Sequence, residues 1–305
     1  MNFLLVDLNR GGGHHAHYVA AVATQARARG WRVRLATTGD AIRDPSHAVV
    51  RSVISARDII TVSPVRCALG GRIGLLERSF RVWDTARRAA ATGMMAFPAD
   101  AIFLPECDNL VWACALLGSP FGPTPWCSVS MKMEFAHRRQ GLHGRNRPRF
   151  DRLQEWVFKE SLAKCQRFVV TTVDEVLVRY FGHRYPPLKD RLLLLPEIAH
   201  PPARIDRGEA RRLLGLPADV FLVVCYGAIT MRKGLREFIS ALARIPACTR
   251  TTGLVAGTLD DTARHFLEQP EVGELQQTGR LKVMPGYVDS DCLGLLVSAA
   301  DMCWV

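Results

Sequence analysis

Short runs that are apolar at every position recur through this chain: Phe3–Val6 (FLLV), Ala101–Leu104 (AIFL), Phe168–Val170 (FVV) and Phe221–Val224 (FLVV). A strand with one solvated face alternates apolar and polar residues, so a run with no polar position must be covered on both faces. Between the runs lie longer stretches in which apolar residues return at helical spacing, as with Leu235, Phe238, Ile239 and Leu242. Strands buried on both sides and separated by amphipathic helices imply an α/β chain with parallel sheets.

Read this way, strands are expected at Asn2–Leu8, Trp31–Ala36, Ala101–Pro105, Pro125–Met131, Arg167–Thr172 and Arg191–Leu195. Helices are expected at His15–Arg29, Ile73–Ala91, Asn109–Leu117, Phe150–Lys164 and Asp174–Phe181. Residues 41–70 show no usable period, and Lys132–Arg149 is so basic and so poor in apolar residues that it reads as a loop. Pro196–Pro202 (PEIAHPP) interrupts the alternation and reads as a linker. The alternation then restarts, with a helix at Gly208–Leu214, strands at Phe221–Tyr226, Thr252–Ala256 and Leu281–Met284, helices from Leu235, at Asp261–Leu267 and at Asp291–Ala299, and a last strand from Met302. Two domains follow, 1–200 and 204–305, the second ending in mid-strand and therefore expected to be incomplete.

Composition narrows the function classes. No run of about 18 apolar residues is present, so no membrane-spanning helix is expected. The opening MNFLLVDLNRGGG reads as a first strand, not a signal peptide. Nine cysteines without a CxxC pair read as reduced core residues, which suits a cytoplasmic protein and gives no metal site. The net charge of +11 calls for an anionic partner, a phosphate-bearing substrate or an acidic membrane surface. Nucleic acid is not expected, because no helix-turn-helix, zinc-finger or RNP-like pattern accompanies the charge.

Three segments could carry chemistry. Asn9–Tyr18 (NRGGGHHAHY) places glycines between a strand and a helix start, where Gly12 and Gly13 let backbone N–H groups approach an anion. It is not a dinucleotide fingerprint, for there is no GxGxxG and no acid after the next strand. His14, His15 and His17 lack the further ligands a metal would need. Tyr226–Phe238 (YGAITMRKGLREF) places Arg232 and Lys233 at the start of a helix, where the macrodipole disfavours cations unless an anion also binds. Leu281–Val305 runs strand, Pro-Gly turn, helix and strand, with Asp289 or Ser290 able to cap the helix.

Together these segments resemble the large retaining glycosyltransferase family 4, with its GT-B fold of two Rossmann-like domains. The resemblance rests on GHHAHYVAAVATQARARGWRVRLAT, VVTTVDEVLVRYFG, LLLLPEIAHPP, RRLLGLPADVFLVVCYGAITMRKGLREFISALARI, LVAGTLDD and LKVMPGYVDSDCLGLLVSAADMCWV. It implies transfer of a sugar from a nucleoside-diphosphate sugar, used as a co-substrate without a cofactor, to a sugar, lipid or protein acceptor. By the resemblance Lys233 matches the donor-phosphate lysine, Gly227 the glycine ending the first donor-domain strand, and Gly286 and Tyr287 the turn flanking the nucleobase. Gly12 and Gly13 match the first-domain loop that approaches the donor.

Two departures stand out. Ala228 occupies a position that is often basic in the family, leaving Arg232 to compensate, and the family's paired glutamates lie beyond Val305. A truncated, non-catalytic homologue that binds a sugar nucleotide or a partner is therefore the alternative reading. On the acceptor side, Glu134 and His137 are the candidate catalytic residues, with Glu106 and Asp108 after another strand end. The stretch from His137 to Arg152 carries six arginines against one aspartate, which suits peripheral contact with an anionic membrane.

Overall fold

The computed structural model describes residues 1–8, 14–64, 71–131, 133–142, 148–196 and 205–304. The chain divides into two compact units, Met1–Ile198 and Ala199–Val305.

In chain order the first unit comprises β1 (Asn2–Asp7), α1 (His14–Ala28), β2 (Arg32–Thr38), α2 (Gly39–Arg43), α3 (Ala48–Val53), β3 (Ile59–Val62) and α4 (Gly71–Ala96). It continues with β4 (Ala101–Leu104), α5 (Val111–Leu117), β5 (Trp126–Ser130), α6 (Phe135–Arg139), α7 (Pro148–Lys164), β6 (Phe168–Thr172), α8 (Glu175–Arg184) and β7 (Leu192–Leu194). All seven strands are parallel, in the order β3-β2-β1-β4-β5-β6-β7. The apolar runs have the two-sided burial that their composition demands. Leu4 and Val6 enter one core with Ile102, Phe168 and α7, while Phe3 and Leu5 enter the other with α1 and α3.

The second unit comprises α9 (Arg207–Leu213), β8 (Phe221–Ile229), α10 (Leu235–Arg244), β9 (Thr251–Leu259), α11 (Asp261–Leu267), α12 (Pro270–Gln277), β10 (Leu281–Pro285), α13 (Ser290–Ala299) and β11 (Met302–Trp304). Its four strands are parallel, in the order β10-β9-β8-β11. Again the central strand feeds two cores. Val223 and Cys225 pack with α10, and Leu222 and Val224 with α9 and α13. Both units are thus Rossmann-like, doubly wound sheets.

Two expectations are corrected, and two stretches left without an assignment prove to carry elements. Residues 41–70 include two helical turns, α2 and α3, and strand β3, whose few residues are too short to display a period. The basic stretch after Met131 contains helix α6 and the first residues of α7, anchored by burial of Phe135 and Ala136. Helix α12, between Leu267 and Leu281, has no counterpart in the pattern reading. Finally, β8 does not stop at Tyr226 but runs through Gly227 to Ile229. Among the described residues no helix is long and apolar enough to cross a membrane.

Candidate functional site

In an open α/β sheet, ligands bind at the carboxyl ends of the strands where the strand order reverses, because the flanking connections diverge there and leave a crevice. The first sheet reverses between β1 and β4, the second between β8 and β11.

At the first reversal the carboxyl ends bear a row of short polar contacts. Asp7 ends β1 fully buried, 3.2 Å from Nε2 of the equally buried His47. Glu106, just past β4, lies 3.2 Å from Nε2 of His15 on α1. Asp108 accepts from the Ser130 hydroxyl at 2.7 Å and from the Met131 N–H at 2.9 Å, which pins the end of β5 to the end of β4. At the end of β6, Asp174 caps α8 by accepting from the Leu177 N–H at 3.1 Å, and its other oxygen meets His137 Nε2 at 2.9 Å.

The two acceptor-side candidates therefore sit together on or beside α6, but in different surroundings. His137 is half-buried and fixed by Asp174, whereas Glu134 is exposed and paired with Arg138, which also donates to the buried Asp151 at 2.7 Å. Gly12 and Gly13 lie outside the described residues, as does Lys132. Among the described residues no group of three His, Cys, Asp or Glu side chains is arranged to hold a metal.

At the second reversal the chemistry is different. Strand β8 ends at Ile229, a 3-10 turn spans Met231–Lys233, and Gly234 caps α10 in the left-handed region at φ 70°. Lys233 is thus in the turn before the helix, not at its first residues. The Lys233 Nζ donates to the Tyr226 carbonyl at 3.3 Å and stands 3.3 Å from where a Cβ on Gly227 would be. No carboxylate pairs with it among the described residues. Burial pushes the Cys225 thiol up while the Lys233 charge pulls against it, so the ammonium is felt inside the sheet. The Trp304 indole N–H, from β11, donates to the Lys233 carbonyl at 3.2 Å and fixes the turn across the reversal.

The floor beneath the ammonium is backbone. Gly227 and Gly257 are register partners on β8 and β9, with φ 98° and 150°. A Cβ on Gly257 would lie 1.8 Å from the Gly227 carbonyl oxygen. The Gly286 N–H donates to the Gly257 carbonyl at 3.0 Å, which brings the turn after β10 to the same rim, and Tyr287 beside it is half-exposed. Asp289 caps α13 by accepting from the Cys292 N–H at 2.8 Å. The structure therefore brings Gly227, Lys233, Gly286 and Tyr287 to one rim, with the backbone of Arg232 in the same turn.

Sequence reasoning missed Gly257 and Thr230. The hydroxyl of Thr230 is buried with no hydrogen-bond partner among the described residues. For Gly257 the available signal was a glycine directly after the expected strand Thr252–Ala256; the strand in fact runs on through it to Leu259, and a glycine within a strand marks close approach of another backbone.

No protein-family model matches the chain, and no curated protein matches its sequence. Solved structures do match it in fold. Sucrose-phosphate synthase from Thermosynechococcus elongatus is 19% identical, with a TM-score of 0.68 over 99% of this chain and 74% of that one. HepE from Anabaena, in complex with UDP-glucose, is 14% identical, with a TM-score of 0.61 over 99% and 73%. The catalytic domain of starch synthase IV from Arabidopsis thaliana, bound to ADP and acarbose, is 12% identical, with a TM-score of 0.62 over 99% and 77%. The chain has the α/β GT-B fold of these glycosyltransferases.

Proposed function

We propose that the chain is a retaining, family 4-like glycosyltransferase that takes its sugar from a nucleoside-diphosphate sugar. One observation carries this reading: Lys233, an ammonium with no carboxylate partner among the described residues, is held over a glycine-lined strand end at the point where the second sheet reverses. A cation without a carboxylate partner at such a place favours an external anion. The glycines keep the approach open for a diphosphate. In glycosyl transfer the diphosphate leaves with growing negative charge, so a fixed ammonium beside it stabilises the transition state more than the ground state. Complexes of HepE with UDP and UDP-glucose, and of starch synthase IV with ADP, support a nucleoside diphosphate as the ligand class.

In this reading Arg232 adds charge where Ala228 supplies none, and Gly12 and Gly13 keep the donor-loop role that the family resemblance implies for them. Gly286 and Tyr287 flank the nucleobase, the ring of Tyr287 offering a face for stacking. On the first unit, His137 orients the acceptor through the ring nitrogen not engaged by Asp174, and Glu134 is its partner in that role.

Calorimetric titration with UDP, ADP, GDP and CDP tests the proposal. One of them binds, and Lys233→Ala weakens it by roughly tenfold to a hundredfold, the loss of one charge-assisted contact worth about 1.5–3 kcal/mol. Equal affinity in Lys233→Ala with an unchanged circular dichroism spectrum would remove the support for this assignment.

A further inference from the structure

Helix α7 has a face that the fold does not use. Seventeen residues long, it buries Asp151, Glu155, Val157, Phe158, Ser161 and Leu162 against the first unit. On the opposite arc, at i, i+3, i+4 and i+7, stand Arg149, Arg152, Leu153 and Trp156, all exposed. Trp156 is 46% exposed and Leu153 46%. Of the six tryptophans it is the one that the core leaves outside. A large indole beside a leucine on a solvated helix face loses apolar burial that a folded chain ordinarily takes.

The charges on this face are equally unspent. Arg138 and Arg139, on the neighbouring helix α6, are committed to the buried carboxylates of Asp151 and Glu155. Arg149 and Arg152 have no ion-pair partner among the described residues. They belong to the stretch 137–152, where six arginines meet one aspartate. Glu160, further along the same face, is neutralised by Lys159 at 2.6 Å. The first turns of α7 lie beside α6, at the carboxyl-end rim of the first sheet, since Arg138 joins Asp151 and Gln154 there.

We infer that this face docks on an anionic lipid surface. Charge complementarity selects that occupant. Guanidinium groups seek phosphates, and an indole with a leucine sits at the boundary between headgroups and acyl chains, the arrangement of helices that lie in a membrane interface. A nucleic acid would take the arginines but would not need Leu153. An acidic protein surface would not give the two apolar side chains a hydrocarbon layer to enter. The inference concerns the first unit alone and does not depend on what the second unit binds.

Sedimentation with lipid vesicles tests it on the intact chain. Vesicles of phosphatidylcholine with about a third phosphatidylglycerol should carry the protein down, and phosphatidylcholine vesicles should not. Binding should fall steeply as salt rises from 0.05 to about 0.5 M. Arg149→Gln with Arg152→Gln should weaken it at least tenfold, and Leu153→Ser should weaken it at equal charge. Trp156→Phe should retain most binding while abolishing the blue shift of tryptophan emission that vesicles induce in the wild type. All four positions are exposed, so circular dichroism should be unchanged. Failure to bind the anionic vesicles, equal binding to neutral ones, binding untouched by Leu153→Ser, or no blue shift traceable to Trp156 would each overturn the inference. Binding to a single-stranded RNA that survives Leu153→Ser and matches the lipid affinity would do the same.

Discussion

Gly257→Ala puts the reading of the second rim under a direct physical test. The new methyl carbon would lie 1.8 Å from the Gly227 carbonyl oxygen, 2.8 Å from its carbonyl carbon and 3.0 Å from its nitrogen. A carbon and an oxygen without a covalent bond settle at about 3.3–3.6 Å, so β8 and β9 must part by roughly 1.5 Å at this register. Because every contact is backbone, no side chain can swing aside. Overpacking costs about 1–3 kcal/mol. The φ of 150° is backbone that only glycine adopts readily, which adds about 1–3 kcal/mol for alanine. A net loss of about 2–6 kcal/mol is expected, a large part of the 5–15 kcal/mol that stabilises a typical domain.

Two other glycines calibrate the result. A Cβ on Gly253 would meet Leu242 Cδ2 at 2.7 Å and Phe238 Cζ at 2.9 Å, the far ends of side chains that can move, so Gly253→Ala should cost less. Gly273 lies in α12 with nothing within 4 Å of a Cβ, so Gly273→Ala should stabilise by about 0.5–1 kcal/mol. Urea denaturation of the three variants, followed by circular dichroism, should rank them in that order. A Gly257→Ala midpoint equal to the wild type, or above that of Gly253→Ala, would refute the close approach of β8 and β9 at this register.

One more variant probes the base of the same unit. Asp301 accepts from the Leu222 N–H at 2.8 Å, from the buried Arg211 at 2.5 Å and from Arg207 at 2.6 Å. Burial pushes its carboxyl up, but the Leu222 N–H and the two guanidinium groups outweigh that and hold it below the usual carboxylate range. Asp301→Asn leaves Arg211 without a counter-charge and should lower stability at pH 7 by about 2–3 kcal/mol. A depressed folded value stabilises only above the unfolded pKa, near 3.9, and the gain is lost as pH falls through the folded value. The gap between wild type and variant in thermal midpoint should therefore be full at pH 7 and shrink below about pH 4. A gap that is constant down to pH 2 would contradict the charge account.

The sheets were legible because burial on both faces leaves its mark in each strand separately. FLLV at Phe3–Val6 and FLVV at Phe221–Val224 need no knowledge of their neighbours to be recognised. Where two strands determine each other, single-strand reading stopped short. Gly227 reads as the turn that ends a strand, yet its register partner Gly257 draws it into the sheet, and β8 continues for two more residues. Helices α2 and α3 are one or two turns long and follow local capping, not an apolar stripe: Thr38 accepts from the Ala41 N–H at the start of α2, and Asp44 accepts from the Ser46 N–H at the 3-10 turn Pro45–His47 that leads into α3. The pairing of Asp7 with His47 spans forty residues, a distance over which no local pattern speaks.

That contrast also separates the two rims chemically. At the first rim the charged side chains have been matched within the fold: Asp7 with His47, Glu106 with His15, Asp174 with His137. Such pairs fix geometry, and each carboxylate already satisfied has less to offer a ligand. At the second rim the polar surface is backbone, and Lys233 is held by a carbonyl at 3.3 Å with no carboxylate beside it among the described residues. Tethering by a neutral acceptor positions the ammonium without cancelling its charge. If Lys233 served only to brace the turn, Lys233→Met would unsettle the fold and the ligand alike. If it serves an incoming diphosphate, Lys233→Met should leave the denaturation midpoint near that of the wild type and remove the affinity, while Lys233→Arg, keeping the charge, should restore part of it. The two roles thus part on whether stability and nucleotide affinity fall together.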